Sequence, residues 1–254
     1  MARFSANLGF LWTELSLPEA IRAAKRAGFD AVECHFPYDV APEDVRAALA
    51  ETGLTMLSLN TRPGNMSSGE FGLCGLPGRE EEAQAVIDQA VAYASEIGAG
   101  AVHVMAGKAL GEAARTTFKA NLRHAAAVGG AAGVNILIEP LNSRDVPGYL
   151  VGSVTQAAAL ITELELPNLK LLFDCYHVQI IEGDLTVKLE HLLPMIGHVQ
   201  IAAVPDRGEP DTGEVDYRYI VNFLDGLGYT GFIGAEYKPR GHVEDGLGWL
   251  EQLR

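Results

Sequence analysis

Eight times along a chain of 254 residues, a short apolar run is followed by a segment of helical periodicity. The spacing predicts strands at Phe4–Leu8, Ala31–Phe36, Leu54–Leu59, Ala101–Met105, Val134–Glu139, Leu169–Asp174, His198–Ala202 and Phe232–Glu236. Between them run helical stripes with recognisable ends. Ser16 caps a helix with Pro18 and Glu19 in its first turn and Gly28 at its stop, Pro42 and Glu43 open one that ends at Gly53, and Arg79–Ile97 ends at Gly98. Glu112–Ala132, Ser153–Leu164, Leu185–Leu193, Asp216–Gly226 and His242–Leu250 complete the set. Alternation of this kind requires a parallel sheet covered by helices. Eight units in this length fit a closed α/β barrel, a single (β/α)8 TIM barrel spanning residues 1–254, better than an open doubly wound sheet. No Gly-x-Gly-x-x-Gly follows the first strand, which removes the usual signature of a dinucleotide-binding fold.

The rhythm breaks once, at Thr61–Gly78. This stretch is turn-rich and long, and it carries Met66, Phe71, Leu73 and Leu76, too much apolar surface for a free linker. A lid packed on the barrel is expected there.

A formal net charge of −14 argues against a nucleic-acid face, because phosphate neutralisation needs clustered Lys and Arg. Cys34, Cys74 and Cys175 show no CxxC spacing and an odd count, which suggests reduced, buried thiols. No apolar run approaches the roughly 18 residues of a membrane span, and the N-terminus lacks a signal-peptide core. The expectation is a soluble cytoplasmic protein that acts on a small molecule, with no nucleic-acid or membrane partner; a homo-oligomer stays open.

Several of the apolar runs end on oxygen-bearing side chains. Val134–Glu139 ends on Glu139, Leu169–Asp174 on Asp174 and Phe232–Glu236 on Glu236, while Gln200 lies near the end of Ile196–Ile201. A capping aspartate would explain Asp174 alone. In a barrel, however, the C-terminal strand ends form one mouth, and all four groups would converge there. Three carboxylates resist ionising together unless a cation sits among them, and an all-oxygen set suits Mg²⁺ or Mn²⁺ better than zinc. One such divalent ion can polarise a carbonyl while a flanking glutamate removes the adjacent proton. That is the chemistry of aldose–ketose isomerisation, an intramolecular oxidoreduction, or of C3 epimerisation.

The segments Leu137-Ile138-Glu139-Pro140-Leu141-Asn142, Phe173-Asp174-Cys175-Tyr176-His177-Val178-Gln179, His198-Val199-Gln200-Ile201-Ala202 and Gly234-Ala235-Glu236-Tyr237 resemble the hydroxypyruvate isomerases of the xylose-isomerase-like barrel superfamily. The resemblance continues through Glu33-Cys34-His35-Phe36-Pro37-Tyr38, Leu76-Pro77-Gly78-Arg79 and Gly213-Glu214-Val215-Asp216-Tyr217, so it covers nearly the whole chain. It implies a metal held by Glu139, Asp174, Gln200 and Glu236, with Glu139 and Glu236 as the catalytic acid–base pair. Gln200 stands where, within the superfamily it resembles, sugar epimerases and inosose-processing relatives typically place histidine. The activity implied is conversion of hydroxypyruvate to 2-hydroxy-3-oxopropanoate (tartronate semialdehyde) through a cis-enediolate. Asn60–Met66 departs from the acidic and aromatic lid of that family, which leaves 2-oxotetronate isomerase as an alternative.

Four further residues are substrate-binding candidates, each with a plainer reading. His177 follows Asp174 by three residues and either bonds substrate or serves a helix start. Arg207 either clamps a carboxylate or is a solvated loop arginine. His103 contacts substrate or is a satisfied interior histidine. Glu33 orients substrate or pairs with a buried basic neighbour. Three rival functions remain: a ketose 3-epimerase, a repair nuclease on the same barrel, which would need a histidine-rich zinc cluster and a basic face, and a non-catalytic sugar-acid binder.

Overall fold

The computed structural model describes residues 2–254; Met1, the first residue of the expected domain, lies outside the described residues. Eight parallel strands form the centre: β1 (Phe4–Asn7), β2 (Ala31–Glu33), β3 (Ser58–Asn60), β4 (Ala101–His103), β5 (Asn135–Ile138), β6 (Leu169–Asp174), β7 (Ile196–Ile201) and β8 (Ile233–Ala235). They follow one another around the sheet, with β8 pairing back onto β1. The remaining gap, between β2 and β3, is bridged at Val32 and Met56, with Leu57 N donating to Val32 O at 2.8 Å and Cys34 N to Ser58 O at 3.1 Å. The result is a nearly closed barrel.

Helices α1 (Leu17–Arg26), α2 (Pro42–Thr52), α3 (Glu80–Ile97), α4 (Gly111–Ala132) and α5 (Val154–Leu164) cover the outside of the first strands. The capping signals act as expected. Glu19 accepts from Ser16 N at 3.1 Å, Ser153 Oγ accepts from Gln156 N at 3.0 Å, and Gly98 closes α3 with φ 73°. The second half holds α6 (Cys175–Ile181), α7 (Leu185–Leu192), α8 (Tyr217–Gly226) and α9 (Gly248–Gln252). The terminal helix fastens the ring: Trp249 packs edge-on to Phe4 at 5.3 Å and to Tyr237 at 6.0 Å. Buried aromatics of this size each contribute roughly 1.5–3 kcal/mol through area removed from water.

Three expectations shift. The third strand is not Leu54–Leu59: only Ser58–Asn60 is strand, preceded by the single bridging residue Met56. The last helix divides into a 3₁₀ turn at Val243–Gly246 and α9, because Gly246 and Gly248 weaken helical continuity. α6, immediately behind β6, has no counterpart among the helices read from the sequence, since seven residues show too little periodicity.

The segment 61–78 is packed on the barrel. Leu73 and Cys74 are fully buried, Gly72 bridges Ala106, and Asn121 Nδ2 donates to Cys74 O at 2.8 Å. Its tip is tied by Glu70, which accepts from Asn65 N at 2.6 Å and pairs with Arg79. Gly64, at φ +81°, leaves room for that carboxylate: a Cβ there would lie 2.3 Å from Glu70 Oε2. All three cysteines are buried and free.

Candidate active site

The strand ends bring the expected groups to one mouth. Asp174 and Gln200 are register partners on β6 and β7, and Glu139 and Glu236 directly follow β5 and β8. All four are at least nine-tenths buried. Glu139 and Glu236 line a cavity of about 250 Å³ whose polar wall also includes His103, His177 and Arg207. Phe10, Phe36, Met66 and Phe71 form its apolar side, the last two contributed by the 61–78 segment. A larger groove of about 440 Å³ runs outside the barrel beside α8, remote from these groups.

Asp174 uses its two oxygens differently. Oδ1 accepts from Tyr176 N at 2.9 Å and caps α6, while Oδ2 has no hydrogen-bond partner and lies 3.5 Å from Arg207 Nη2. The capping reading therefore holds for one oxygen and leaves the other aimed into the mouth. Glu139 Oε1 and Gln200 Oε1 also lack hydrogen-bond partners. Three buried oxygens of the expected ligand set are thus unsatisfied together, a costly arrangement for protein alone and a fitting one for a hard cation. Gln200, Glu139 and Asp174 fit such an ion by donor chemistry as well.

Glu236, the fourth member, is already engaged. Its Oε1 accepts from Asn7 Nδ2 at 2.8 Å and lies 3.2 Å from His35 Nε2, and its Oε2 accepts from Arg207 Nη2 at 2.6 Å. Arg207 is no solvated loop residue. Its side chain is 13% exposed, and its guanidinium lies 4.9 Å from the Phe10 ring centroid and 5.0 Å from that of Tyr176. Asp145 Oδ2 stands 3.9 Å from it. The backbone of Arg207 adopts φ 58°, a left-handed conformation that costs a non-glycine residue on the order of 1 kcal/mol and is held by bonds to Ala203 O and from Lys238 N.

The electrostatics follow. Burial, reinforced by the charges of Glu236 and Asp174, pushes Glu139 well above the ordinary carboxylate range. Burial also pushes Asp174 up to about 7, against the pull of Arg207. Burial opposes ionisation of Glu236 too, but Arg207 and the His35 bond outweigh it and hold that carboxyl down at about 2. In this arrangement the guanidinium is the cation among the acids.

His177 clusters with Glu139 and Asp174, its Nε2 standing 3.9 Å and 3.7 Å from their carboxylates. Its other nitrogen, Nδ1, accepts from Asn142 N at 3.1 Å. A backbone N–H can only donate, so Nδ1 carries the lone pair and Nε2 the proton. Burial lowers its pKa to about 3, so the ring is neutral. With its free lone pair committed to Asn142, His177 faces the mouth as a hydrogen-bond donor rather than as a metal ligand. His103 lies in the wall with Nδ1 3.6 Å from Glu139 and Nε2 unpartnered, so it is interior but not satisfied; burial lowers its pKa to about 4. Glu33 does not line the cavity. It sits deeper in the barrel, bonded to Ser5, His198 and Gln200, the buried pairing that was its plainer reading.

Asn7, His35, Phe10, Asp145 and Tyr176 belong to the mouth without having been singled out as site residues by the sequence. Asn7, like Glu139 and Glu236, stands at a strand end, the one signal that could have marked it. Asp145 and Phe10 lie on loops, where no periodicity points anywhere.

A parallel barrel with a carboxylate cluster at the C-terminal strand ends places these groups where TIM-barrel enzymes carry their active sites. The match to known proteins narrows this. Residues 21–253 match the family described as xylose isomerase-like TIM barrel, and the chain belongs to that family. It is 46% identical to the 2-oxo-tetronate isomerase of Cupriavidus necator, covering 99% of this chain and 98% of that one. It is 38% identical to the hydroxypyruvate isomerase of Escherichia coli, covering 100% of each. A solved structure from Brucella melitensis named AP endonuclease, family 2, superposes with a TM-score of 0.96 at 40% identity, covering all of both chains.

Proposed function

We propose that this chain is a divalent-metal-dependent isomerase of short 3-hydroxy-2-oxo acids. The observation that carries the reading is the set of three unsatisfied buried oxygens, on Glu139, Asp174 and Gln200, beside a second glutamate, Glu236. When bound, Mg²⁺ or Mn²⁺ would polarise the substrate's carbonyl and lower the acidity barrier of the neighbouring C–H. Glu139, Asp174, Gln200 and Glu236 would hold it.

The proton chemistry belongs to the two glutamates. One removes the proton from C3, the electron pair moves to form a C2–C3 double bond, and a cis-enediolate results. The other returns a proton at C2, the C3 hydroxyl proton passes to the C2 oxygen, and the C3 oxygen becomes the carbonyl. His177 donates from Nε2 to a substrate oxygen. Arg207, which pairs with Glu236 here, would take the substrate carboxylate in a bidentate clamp. His103 adds a polar contact in the wall, and the apolar side formed by Phe10, Met66 and Phe71 keeps water from the enediolate. Glu33 acts from below, without touching substrate.

Hydroxypyruvate and 2-oxo-tetronate share the reacting unit and differ only beyond C3. Relatives named 2-oxo-tetronate isomerase and putative hydroxypyruvate isomerase match at 46% and 44% identity, which supports both acids as substrates. The nuclease reading is opposed by the net charge of −14 and by a mouth in which His177 is committed to Asn142. The deciding experiment assays the purified protein, stripped with EDTA and then given Mg²⁺ or Mn²⁺, against hydroxypyruvate, 2-oxo-tetronate and a panel of ketoses. Metal-dependent turnover of the keto acids supports the reading; turnover confined to ketoses, or equal rates without metal, overturns it.

A further inference from the structure

We propose that Glu33 is a positioning residue that fixes the side-chain amide of Gln200 so that its oxygen faces the cation site. The inference rests on the metal-dependent reading above. The two ends of a carboxamide are almost the same size, so packing alone does not choose between them; their hydrogen-bond partners do. Gln200 Nε2 donates to Glu33 Oε2 at 2.8 Å, and Gln200 Oε1 is the end left without a partner. Glu33 is held as an acceptor from every side. Ser5 Oγ donates to Oε1 at 2.9 Å, and His198 Nε2 lies 3.2 Å and 3.1 Å from the two oxygens. A flipped amide would set oxygen against carboxylate oxygen in a buried site, an unpaired and repulsive contact.

The barrel is shaped to admit this arrangement. A Cβ at Gly234, on the neighbouring strand β8, would lie 2.2 Å from Glu33 Oε1 and 2.8 Å from both Gln200 Cγ and His198 Nε2. The φ of Gly234 is not in the left-handed region, so its lack of a side chain serves close approach rather than backbone freedom. Strands β1, β2, β7 and β8 each contribute one part: Ser5, Glu33, the His198–Gln200 pair and the gap at Gly234.

The test measures Mn²⁺ binding to the metal-free protein by calorimetry. Glu33→Leu removes the acceptor, and Mn²⁺ affinity should fall on the order of 10- to 100-fold, the range for groups that orient metal ligands. Adding Gln200→Glu should abolish that loss, because a carboxylate presents oxygen at both ends and needs no orientation. A purely structural role for Glu33 would leave the loss in place. On the unaltered protein, Mg²⁺ should shift the Gln200 side-chain carbonyl carbon resonance while its amide protons stay protected from exchange; this readout also decides if the leucine variants do not fold. Unchanged affinity in Glu33→Leu, a loss that persists with Gln200→Glu, or a Gln200 carbonyl indifferent to bound Mg²⁺ would overturn the proposal alone. Failure of the unaltered protein to bind Mn²⁺ would overturn the metal reading with it.

Discussion

Arg207 donates to Glu236 at 2.6 Å inside a mouth where Glu139 and Asp174 have few other sources of positive charge. The guanidinium lies between Phe10 and Tyr176, which shield the pair from water and strengthen it. This makes one arginine both the counter-charge of the metal-free site and the natural partner of an anionic substrate.

Arg207→Ala should therefore lower the Tm of the metal-free protein, because removing one partner of a buried ion pair leaves the other uncompensated, a loss of roughly 3–5 kcal/mol in comparable cases. With saturating Mn²⁺ the difference between variant and parent should shrink. Thermal melts with and without metal check this; an equal drop in both conditions would show that Arg207 stabilises the fold independently of the cation site.

Arg207→Lys keeps the charge and loses the planar fork. KM for a keto acid should rise while metal affinity stays close to the parent value, since lysine cannot match a carboxylate in the bidentate manner. Steady-state kinetics beside Mn²⁺ titration separate the two effects.

Glu139→Gln and Glu236→Gln should each reduce kcat on the order of 10²-fold or more, the usual scale for a positioned acid or base. Turnover in D₂O should place solvent deuterium at C2 of the product. Product without deuterium, together with near-normal rates in both variants, would replace the proton relay by a hydride shift.

Asp174→Asn preserves shape and removes one anionic donor. It should weaken Mn²⁺ binding while leaving the α6 cap in place, because the amide oxygen still accepts from Tyr176 N. Calorimetry and circular dichroism give the two readings, and unaltered affinity would remove Asp174 from the ligand set.

The 61–78 segment should loosen in acid. Glu70 is held below its ordinary value of 4.5 by the Asn65 N–H and by Arg79. A depressed carboxyl contributes stability above its unfolded pKa and loses it as pH falls through the folded one, so the tether is intact near neutrality and released only as the pH falls below the ordinary carboxylate range. Limited proteolysis by an acid protease should then find the 65–70 turn more accessible in Glu70→Gln than in the parent at pH about 5, and equally accessible in both at the lower limit.

The sequence alone determined the barrel, because eight repeats of strand and helix periodicity express local burial, and local burial is written in the order of residues. It also marked Glu139, Asp174 and Glu236, since a carboxylate ending an apolar run is visible without knowing what lies opposite. What pairs with what across the barrel is not written locally. Glu33 and Gln200 are 167 positions apart and Arg207 and Glu236 are 29 apart. Only closure of the sheet decided that Glu33 serves Gln200 from beneath the cavity, that Arg207 turns inward to Glu236, and that a backbone N–H at Asn142 fixes the tautomer of His177. Strand periodicity says which face of a strand is buried; which partners it meets there depends on the order, register and curvature of all eight strands together.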